Sequence, residues 1–391
     1  WKPLLPSSPN PEVTYGMVPS RDELGIDRGW YASPDSSLLA VYRVDETQVS
    51  CFPLLDISSR TGTLKSIKYP MNGMPSQHVS LCVCDTLGNV LSTLAVSDFD
   101  DERYLAGVSW TPDSRRLLVQ VVDRSQHELH LQLFDAADGS CLRTLLEERN
   151  DAWVEPREGV FFVPGTELFV YTTDNRDGYR QLYLCDLEGG IRRITPCSAD
   201  VTYVGSDGEY IYYTSAEASP AENHLFRGTL EKELDEAADP MTPYAPVTVE
   251  FGTVPSADPA YLNYYRLVKP ADFDPARKYP VIVYVYGGPH SQMVSDRWLG
   301  SIRNWELLMA QHGYVLYIQD NRGTDNRGAA FSRAIYRHCG QEESADQVEG
   351  LRQLIAEGWV DESRIGVAGW SYGGFMTITL APKFPELVKV A

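Results

Sequence analysis

The motif G-W-S-Y-G places one serine, Ser371, between two glycines, Gly369 and Gly373. The short apolar run IGVAG precedes the serine, and FMTITLA, which can begin a helix, follows the motif. A serine at such a strand-to-helix turn projects its Oγ from a sharp bend, whose backbone angles leave no room for neighbouring side chains. The sequence therefore predicts that Ser371 is a catalytic nucleophile, and the alternative is an incidental glycine-rich turn.

A serine hydroxyl needs a base to take its proton, and in α/β hydrolases the chain order is Ser, then Asp, then His. After Ser371 the sequence contains neither Asp nor His, and all seven histidines lie upstream. His290, which follows Y-G-G-P, and His338 would serve as the base only by breaking that order. We therefore expect that the printed sequence stops before the triad and the later strands of such a domain are complete.

The reaction also needs donors for the developing oxyanion. One donor is the backbone N–H of Tyr372, the residue after the predicted nucleophile. The other should come from the loop after an earlier strand, where the sequence reads Y-G-G-P from Tyr286. The hydroxyl of Tyr286 can do this, and the alternative is an aromatic side chain that packs at the end of a strand.

The chain around these residues alternates between strand and helix patterns. PVIVYVYGG, GYVLYIQD and IGVAGWS are apolar runs typical of buried parallel strands, whereas RWLGSIRNWELLMAQHG and SADQVEGLRQLIAEG are helical. Gly313 is the expected cap of the first helix. The second helix should bury one face, which comprises Val348, Leu351, Leu354 and Ile355. This alternation predicts a parallel α/β sheet with crossover helices.

The N-terminal part of the chain contains repeats of another kind. Three segments each join an alternating strand that ends in Asp to a glycine-containing turn and a second strand. Their aspartates are Asp85, Asp135 and Asp186. A second pattern, a Pro/Asp/Gly turn before an apolar strand, begins at Trp30, Ser109, Phe161 and Val204. Together they give about four strands per repeat, which favours a β-propeller over a generic β-sandwich.

We expect about five such blades between residues ~10 and ~250. The run EKELDEAADP shows no blade pattern, so we expect missing chain or a degraded blade between Leu230 and Val249. The predicted fold is a β-propeller, incomplete in this sequence, followed by an α/β-hydrolase domain that is truncated in it. The predicted domains are a substrate-gating propeller at 1–255 and the N-terminal part of the catalytic domain at 256–391.

Composition and charge disfavour several classes of function. The formal net charge of −20 disfavours nucleic acid and anionic membrane surfaces as partners, because both are negatively charged. No apolar run approaches the ~20 residues that span a bilayer. The seven cysteines include no C-x-x-C pair, and the H-E-L-H run from His127 to His130 lacks the spacing of zinc ligands. The sequence therefore predicts no disulfide framework, no metal and no cofactor.

The segments YPVIVYVYGGPHSQ, DNRGTDNRGAAF and GWSYGGF, after a propeller, resemble the prolyl oligopeptidase clan of serine peptidases. Within this clan the chain is most similar to the dipeptidyl peptidase IV branch, which includes bacterial prolyl tripeptidyl aminopeptidases. The resemblance extends from about Arg21 to Phe375. It implies that Ser371 is the nucleophile, that Tyr286 is an oxyanion donor, and that Tyr372 lines the pocket for the residue before the scissile bond.

The resemblance also implies a pair of acids that hold the protonated amino terminus of the substrate. The branch carries this pair on a short helical segment before a W-S-P turn, and here RDELGIDRGWYASPD places Asp22 and Glu23 on it. The first acid is usually Glu, and because Asp22 is shorter by one methylene, we expect Glu23 to be the principal contact. The alternative is two solvated loop acids.

The implied function is a serine exopeptidase that releases N-terminal dipeptides or tripeptides through an acyl-enzyme and prefers proline before the scissile bond. The alternatives are an acylaminoacyl peptidase, an endo-oligopeptidase or an esterase of the same architecture, and a non-catalytic propeller binding protein. The expected partners are peptides with a free amino terminus, and a homodimer is compatible with the resemblance. Because bacterial relatives are typically exported, the expected location is the periplasm or cell envelope.

Overall fold

A computed structural model describes residues 5–99, 102–195, 197–227, 229–230, 247–297 and 301–391. The chain divides into two compact units. The first comprises Trp1–Asn175, Leu182–Ile194 and Ser206–Glu209, and the second comprises Arg176–Gln181, Thr195–Gly205 and Tyr210–Ala391. The domain boundary predicted at residue 255 remains a prediction.

Four antiparallel sheets contain the repeats of the N-terminal part. The first repeat consists of β1 (Val13–Tyr15), β2 (Trp30–Ala32), β3 (Leu38–Asp45), the separate hairpin β4 (Cys51–Asp56) and β5 (Thr63–Lys68), then β6 (His78–Asp85) and β7 (Val90–Thr93). The second sheet consists of β8 (Arg103–Trp110), β9 (Arg116–Asp123), β10 (Glu128–Asp135) and β11 (Cys141–Arg149). The third consists of β12 (Phe161–Phe162), β13 (Phe169–Thr173), β14 (Gln181–Cys185) and β15 (Ile191–Arg193). The fourth consists of β16 (Val201–Ser206), β17 (Ile211–Ser215), β18 (His224–Arg227) and β19 (Thr229–Leu230).

All three predicted Asp-turn hairpins are present, and the aspartate itself closes each turn. Asp85 ends β6, and its Oδ1 accepts the backbone N–H of Leu87 at 2.9 Å. Asp135 and Asp186 accept the N–H two residues further on in the same way, at 2.7 and 2.9 Å. The short carboxylate satisfies donors that the turn would otherwise leave unpaired, which explains why an Asp recurs at this position.

Neighbouring sheets of the first unit share one apolar core. The first and second sheets contribute buried residues to the same cluster, including Tyr42 and Trp110. The hydroxyl of Tyr42 donates to the Leu105 carbonyl at 2.6 Å, and the Trp110 indole donates to the Tyr31 carbonyl at 3.0 Å. Because the polar atoms of these large side chains have partners on the next sheet, the sheets pack as adjacent blades.

The described residues contain four sheets of this kind, where the repeat length predicts about five. The difference arises in the first repeat, which occupies residues 13–93 because the hairpin β4–β5 is inserted between β3 and β6. The missing chain or degraded blade expected between Leu230 and Val249 falls mostly on residues 231–246, which lie outside the described residues.

The second unit contains a five-stranded mixed sheet. Its strands are β20 (Thr248–Pro255), β21 (Leu262–Lys269), β22 (Tyr279–Tyr284), β23 (Val315–Asp320) and β24 (Val360–Ala368). The spatial order is β20-β21-β23-β22-β24. Strand β22 pairs in parallel with β23 and β24, whereas β21 pairs antiparallel with both β20 and β23. The predicted parallel strands are therefore confirmed and occupy one edge of the sheet.

The helices of the second unit are α1 (Asn304–Gln311), α2 (Ala329–Ser332), α3 (Glu342–Ala356) and α4 (Tyr372–Lys383), with a 3-10 helix at Arg333–Ile335 between α2 and α3. Helices α1 and α2–α3 connect β22 to β23 and β23 to β24, as the sequence predicts, and α4 follows β24. A further 3-10 helix, Pro19–Asp22, lies in the first unit. Helix α1 is shorter than predicted, because Ser301 has a φ of 58°, which a right-handed helix cannot include. Gly313, with a φ of 84°, ends its last turn. None of the helices among the described residues has both the length and the apolar character needed to cross a membrane.

Candidate active site

Ser371 lies at the turn between β24 and α4, so the predicted strand–turn–helix arrangement is present. Its φ of 57° and ψ of −117° lie outside the regions that residues with a Cβ normally adopt. A Cβ at Gly369 would lie 2.5 Å from the carbonyl oxygen of Val285, and one at Gly373 would lie 2.1 Å from it. The two glycines are therefore a steric requirement, because the chain after β22 passes directly against this turn.

The two predicted oxyanion donors lie in the same part of the second unit. Tyr372 is the first residue of α4, where a backbone N–H has no carbonyl partner within the helix. Tyr286 follows β22, and its ring centroid lies 6.1 Å from that of Tyr372. The hydroxyl of Tyr286 donates to none of the described residues. The structure thus brings an exposed Ser371, an N–H donor and an O–H donor into one neighbourhood.

Residues that follow β23 hold the loop after Tyr286. Asn321 is fully buried, and its Nδ2 donates to the carbonyl of Gly287 at 3.0 Å. Gln347 on α3 donates to Oδ1 of Asn321 at 2.9 Å, which fixes the orientation of the amide. Gly287 has a φ of 72°, and a Cβ there would lie 2.7 Å from Asn321 Oδ1. The loop that carries Tyr286 is therefore positioned by a neighbouring strand and helix.

Asp320 anchors the far end of the same loop. Its buried carboxylate accepts the backbone N–H groups of Met293 and Val294, each at 2.9 Å. Burial raises the pKa of Asp320 to about 6, although the two N–H donors favour the charged form. Sequence reasoning missed Asp320, Asn321 and Gln347. The available signal was the polar run D-N-R-G directly after a buried strand, at the sheet edge where α/β proteins place functional loops.

The predicted pair of acids belongs to the first unit, whereas Ser371, Tyr372 and Tyr286 belong to the second. Asp22 ends the 3-10 helix, and its side chain lies outside the described part of the structure. Glu23 follows with an exposed side chain, and its N–H donates to the Ser20 carbonyl at 3.1 Å. The N–H of Ser20 donates to Gln77 Oε1 at 3.1 Å, so this segment is tied to the first blade.

No cluster of side chains that would hold a metal ion occurs among the described residues. His130, from the H-E-L-H run, has its Nδ1 2.5 Å from Asp98 Oδ2. Its ring also packs against that of Phe99, with 4.8 Å between centroids. These contacts give His130 a structural role beside the second sheet. None of the seven cysteines, all of which lie among the described residues, forms a disulfide.

A serine elbow after a parallel strand of a mixed sheet defines an α/β hydrolase, and the four antiparallel sheets before it are propeller blades. The chain belongs to the dipeptidyl peptidase IV family. The family described as "Dipeptidyl peptidase IV (DPP IV) N-terminal region" matches residues 19–244, and the prolyl oligopeptidase family matches residues 301–391. The predicted family and the predicted combination of β-propeller and α/β hydrolase are therefore confirmed.

Individual relatives agree with this assignment. The "Probable dipeptidyl peptidase 4" of Emericella nidulans is 27% identical, over 94% of this chain and 57% of its own length. Dipeptidyl peptidase 8 of Mus musculus is 24% identical, over 89% of this chain and 53% of its own length. The solved structure of a candidate dipeptidyl aminopeptidase IV from Bacteroides ovatus has a TM-score of 0.87 and 31% identity, covering 98% of this chain and 64% of that one. The chain thus spans between about half and two thirds of the length of these relatives.

Proposed function

We propose that the intact protein is a serine exopeptidase that releases N-terminal dipeptides, or tripeptides, and prefers proline before the scissile bond. The observation that carries this proposal is the placement of Ser371 on a strand-to-helix elbow beside the donors of Tyr372 and Tyr286. Membership of the dipeptidyl peptidase IV family supports it, and the dipeptidyl peptidase names of the relatives favour release of two residues.

In this mechanism the Oγ of Ser371 attacks the carbonyl carbon of the scissile bond while a base takes the hydroxyl proton. The carbonyl oxygen becomes an oxyanion, which accepts hydrogen bonds from the N–H of Tyr372 and the O–H of Tyr286. The base then protonates the leaving amine, and a water molecule hydrolyses the acyl-enzyme through a second tetrahedral intermediate. In α/β hydrolases this base is a histidine.

Chromogenic peptides test the proposed function in the intact protein. It should release 4-nitroaniline from Gly-Pro-4-nitroanilide or from Ala-Ala-Pro-4-nitroanilide, and the ratio of the two rates decides between dipeptide and tripeptide release. The N-acetylated forms of both substrates are the controls and should be cleaved far more slowly. A folded protein that cleaves neither free-amine substrate contradicts the proposal. Equal cleavage of the acetylated substrates would favour an acylaminoacyl peptidase or an endo-oligopeptidase instead.

We also propose that Glu23, with Asp22 beside it, binds the protonated amino group of the substrate. A carboxylate at a set distance from the nucleophile selects a peptide bond by its distance from the free amino terminus, which is what an exopeptidase requires. The exposed side chain of Glu23 and the hydrogen bonds that fix the backbone of its segment support this role.

Replacement of Glu23 with glutamine should raise KM for Gly-Pro-4-nitroanilide by about 10- to 100-fold, because a hydrogen bond between two charged groups is lost. Hydrolysis of 4-nitrophenyl acetate, which has no amino group, should be unchanged. Glu188→Gln is the matched control, since Glu188 is 80% exposed in the same unit and its ion pair with Arg143 contributes little. Equal losses on the peptide and the ester would argue against a role in binding the amino group.

A homodimer is our proposal for the assembly of the protein. The hairpin β4–β5 exposes apolar side chains, with Leu55 64% and Leu64 74% exposed, and a second copy of the chain would cover them. Sedimentation velocity of the intact protein should show a dimer, and the double variant Leu55→Lys/Leu64→Lys should sediment as a monomer. A wild-type protein that is monomeric at micromolar concentrations would refute this assembly.

For the location we propose the periplasm or cell envelope, in line with bacterial members of the family. Fractionation of the producing cells, with marker enzymes for the periplasm and the cytoplasm, tests this proposal. The protein should separate with the periplasmic or envelope marker, and recovery with the cytoplasmic marker would contradict it.

A further inference from the structure

The side chain of Tyr372 is bound to a buried carboxylate. Its hydroxyl donates to Oε1 of Glu343, in the first turn of α3, at 2.6 Å. Glu343 is fully buried, and its Oε2 accepts the N–H of Gly340 at 2.8 Å. Each oxygen of the carboxylate therefore has a donor, and Tyr372 supplies one of the two.

Three neighbours restrict the ring of Tyr372. Gly288 packs against it so closely that a Cβ there would lie 2.7 Å from Tyr372 Cγ. The ring of Phe375 meets it edge-on, with 5.2 Å between centroids, and the ring of Tyr286 lies 6.1 Å away. These contacts limit the plane of the ring, and the hydrogen bond to Glu343 fixes its far end.

The carboxylate of Glu343 is itself fixed, because the Gly340 turn that bonds to it is tied to two helices. Ser344 Oγ on α3 and Lys383 Nζ at the end of α4 donate to the Gly340 carbonyl, at 2.7 and 2.8 Å. Gly340 has a φ of 79°, and a Cβ there would lie 2.8 Å from Phe375 Cζ. A continuous set of contacts therefore connects α3 to both ends of α4.

The surroundings of Tyr372 keep its hydroxyl a hydrogen-bond donor to Glu343. Burial, and then the acceptor groups of Cys339 and Glu343, raise the pKa of Tyr372, so the phenol stays a neutral donor. Glu343 lies in the first turn of α3, next to the partial positive charge of a helix N-terminus. A hydrogen bond from a phenol to a carboxylate is short and strong, in line with the 2.6 Å between the two oxygens.

We propose that Glu343 is a positioning residue that determines selectivity for the residue before the scissile bond, because it fixes the Tyr372 side chain beside that residue. This inference rests on the proposed function. The backbone N–H of Tyr372 is held by α4 itself, so loss of the bond to Glu343 should spare the oxyanion donor and release only the side chain. Selectivity should therefore change while the intrinsic reactivity of Ser371 does not.

The test compares Gly-Pro- and Gly-Ala-4-nitroanilide as substrates of the intact protein and of Glu343→Gln. The glutamine keeps the size of the side chain, but it has one acceptor oxygen for two donors and carries no charge. The ratio of kcat/KM for Gly-Pro-4-nitroanilide to kcat/KM for Gly-Ala-4-nitroanilide should fall by about tenfold, as expected for one hydrogen bond to a charged group. Hydrolysis of 4-nitrophenyl acetate should be unchanged. Glu342→Gln is the matched control, because Glu342 is adjacent but pairs with Arg322 at 2.7 Å, and it should leave the ratio unchanged.

A second variant tests the inference if Glu343→Gln fails to fold. Tyr372→Phe removes the hydroxyl and keeps the ring, so it should lower the ratio by a similar factor. The double variant should have the same ratio as Tyr372→Phe, because both changes remove one and the same bond. Titration with a fluorophosphonate normalises every rate to the active fraction.

An unchanged ratio, with kcat/KM lowered equally for both substrates, would mean that Glu343 has a merely structural role. This result would overturn the inference about Glu343 and leave the proposed function standing. A wild-type protein that cleaves neither peptide would overturn the proposed function, and the inference with it. The two failures are therefore distinguished by the wild-type rate.

Discussion

Replacement of Ser371 with alanine should lower kcat/KM for Gly-Pro-4-nitroanilide by at least about 10⁴-fold, the scale expected when a serine nucleophile is removed. The Oγ forms the covalent bond to the substrate, and the methyl group of alanine cannot replace it. The fold should be preserved, because the side chain is exposed and the backbone φ of 57° is similarly unfavourable for serine and alanine. Steady-state kinetics and thermal unfolding of the intact protein measure the two parts of this prediction.

Covalent labelling gives an independent measure of the nucleophile, because a fluorophosphonate reacts with an activated serine hydroxyl. The wild-type protein should be labelled at one site, and Ser371→Ala should not be labelled. Ser363→Ala is the matched control, because Ser363 lies on the same strand and donates to Asp361 at 2.6 Å. It should retain full labelling and activity. Labelling that survives Ser371→Ala would place the nucleophile elsewhere in the protein.

The elbow is predictable from the sequence because each of its parts is local. The apolar strand, the two glycines and the start of the helix are consecutive in the chain. The structure adds the steric cause, which is the approach of the Val285 carbonyl to Gly369 and Gly373. The hairpins of the repeats are predictable for the same reason, since Asp85 bonds to a donor two residues away.

The support around the elbow is not predictable in this way, because it joins segments that are distant in the chain. Asn321 and Gly287 are 34 residues apart, and Tyr372 and Glu343 are 29 apart. In the sequence Glu343 is an ordinary acid in the first turn of a helix. Its burial and its hydrogen bond to Tyr372 depend on how α3 packs against α4, and neither the composition nor the periodicity of the sequence predicts that packing.

The described residues contain four blade sheets where the repeat length predicts about five, and the hairpin β4–β5 gives a physical reason for this difference. Strand β4 reads CFPLLD, an apolar run of the kind that fills a blade, and yet every one of its residues is exposed. It pairs only with β5 as a separate two-stranded sheet. An estimate from repeat length therefore counts this hairpin toward a blade, because length does not specify which sheet a strand will join.

Replacement of Tyr286 with phenylalanine should lower kcat by about 10²- to 10³-fold with little change in KM, the effect expected on removal of one oxyanion donor. The ring, and with it the 6.1 Å contact to Tyr372, is kept, so only the O–H is lost. The oxyanion exists in the transition state and not in the bound substrate, which is why the loss should appear in kcat. Tyr261→Phe is the matched control, because the Tyr261 ring packs against that of Phe331, with 5.4 Å between centroids, and its kinetics should equal those of the wild type.

A peptide boronate separates this role from simple packing, because it forms a tetrahedral adduct with a nucleophilic serine and places an oxygen where the oxyanion forms. If the Tyr286 hydroxyl stabilises the oxyanion, the inhibition constant of the boronate should rise in Tyr286→Phe by the same factor by which kcat/KM falls. If Tyr286 is only an aromatic side chain that packs at the end of β22, phenylalanine supplies the same packing, and both constants should stay at their wild-type values. Since Asn321 holds the loop through the carbonyl of Gly287, Asn321→Ala should weaken the boronate in the first case and leave it unaffected in the second.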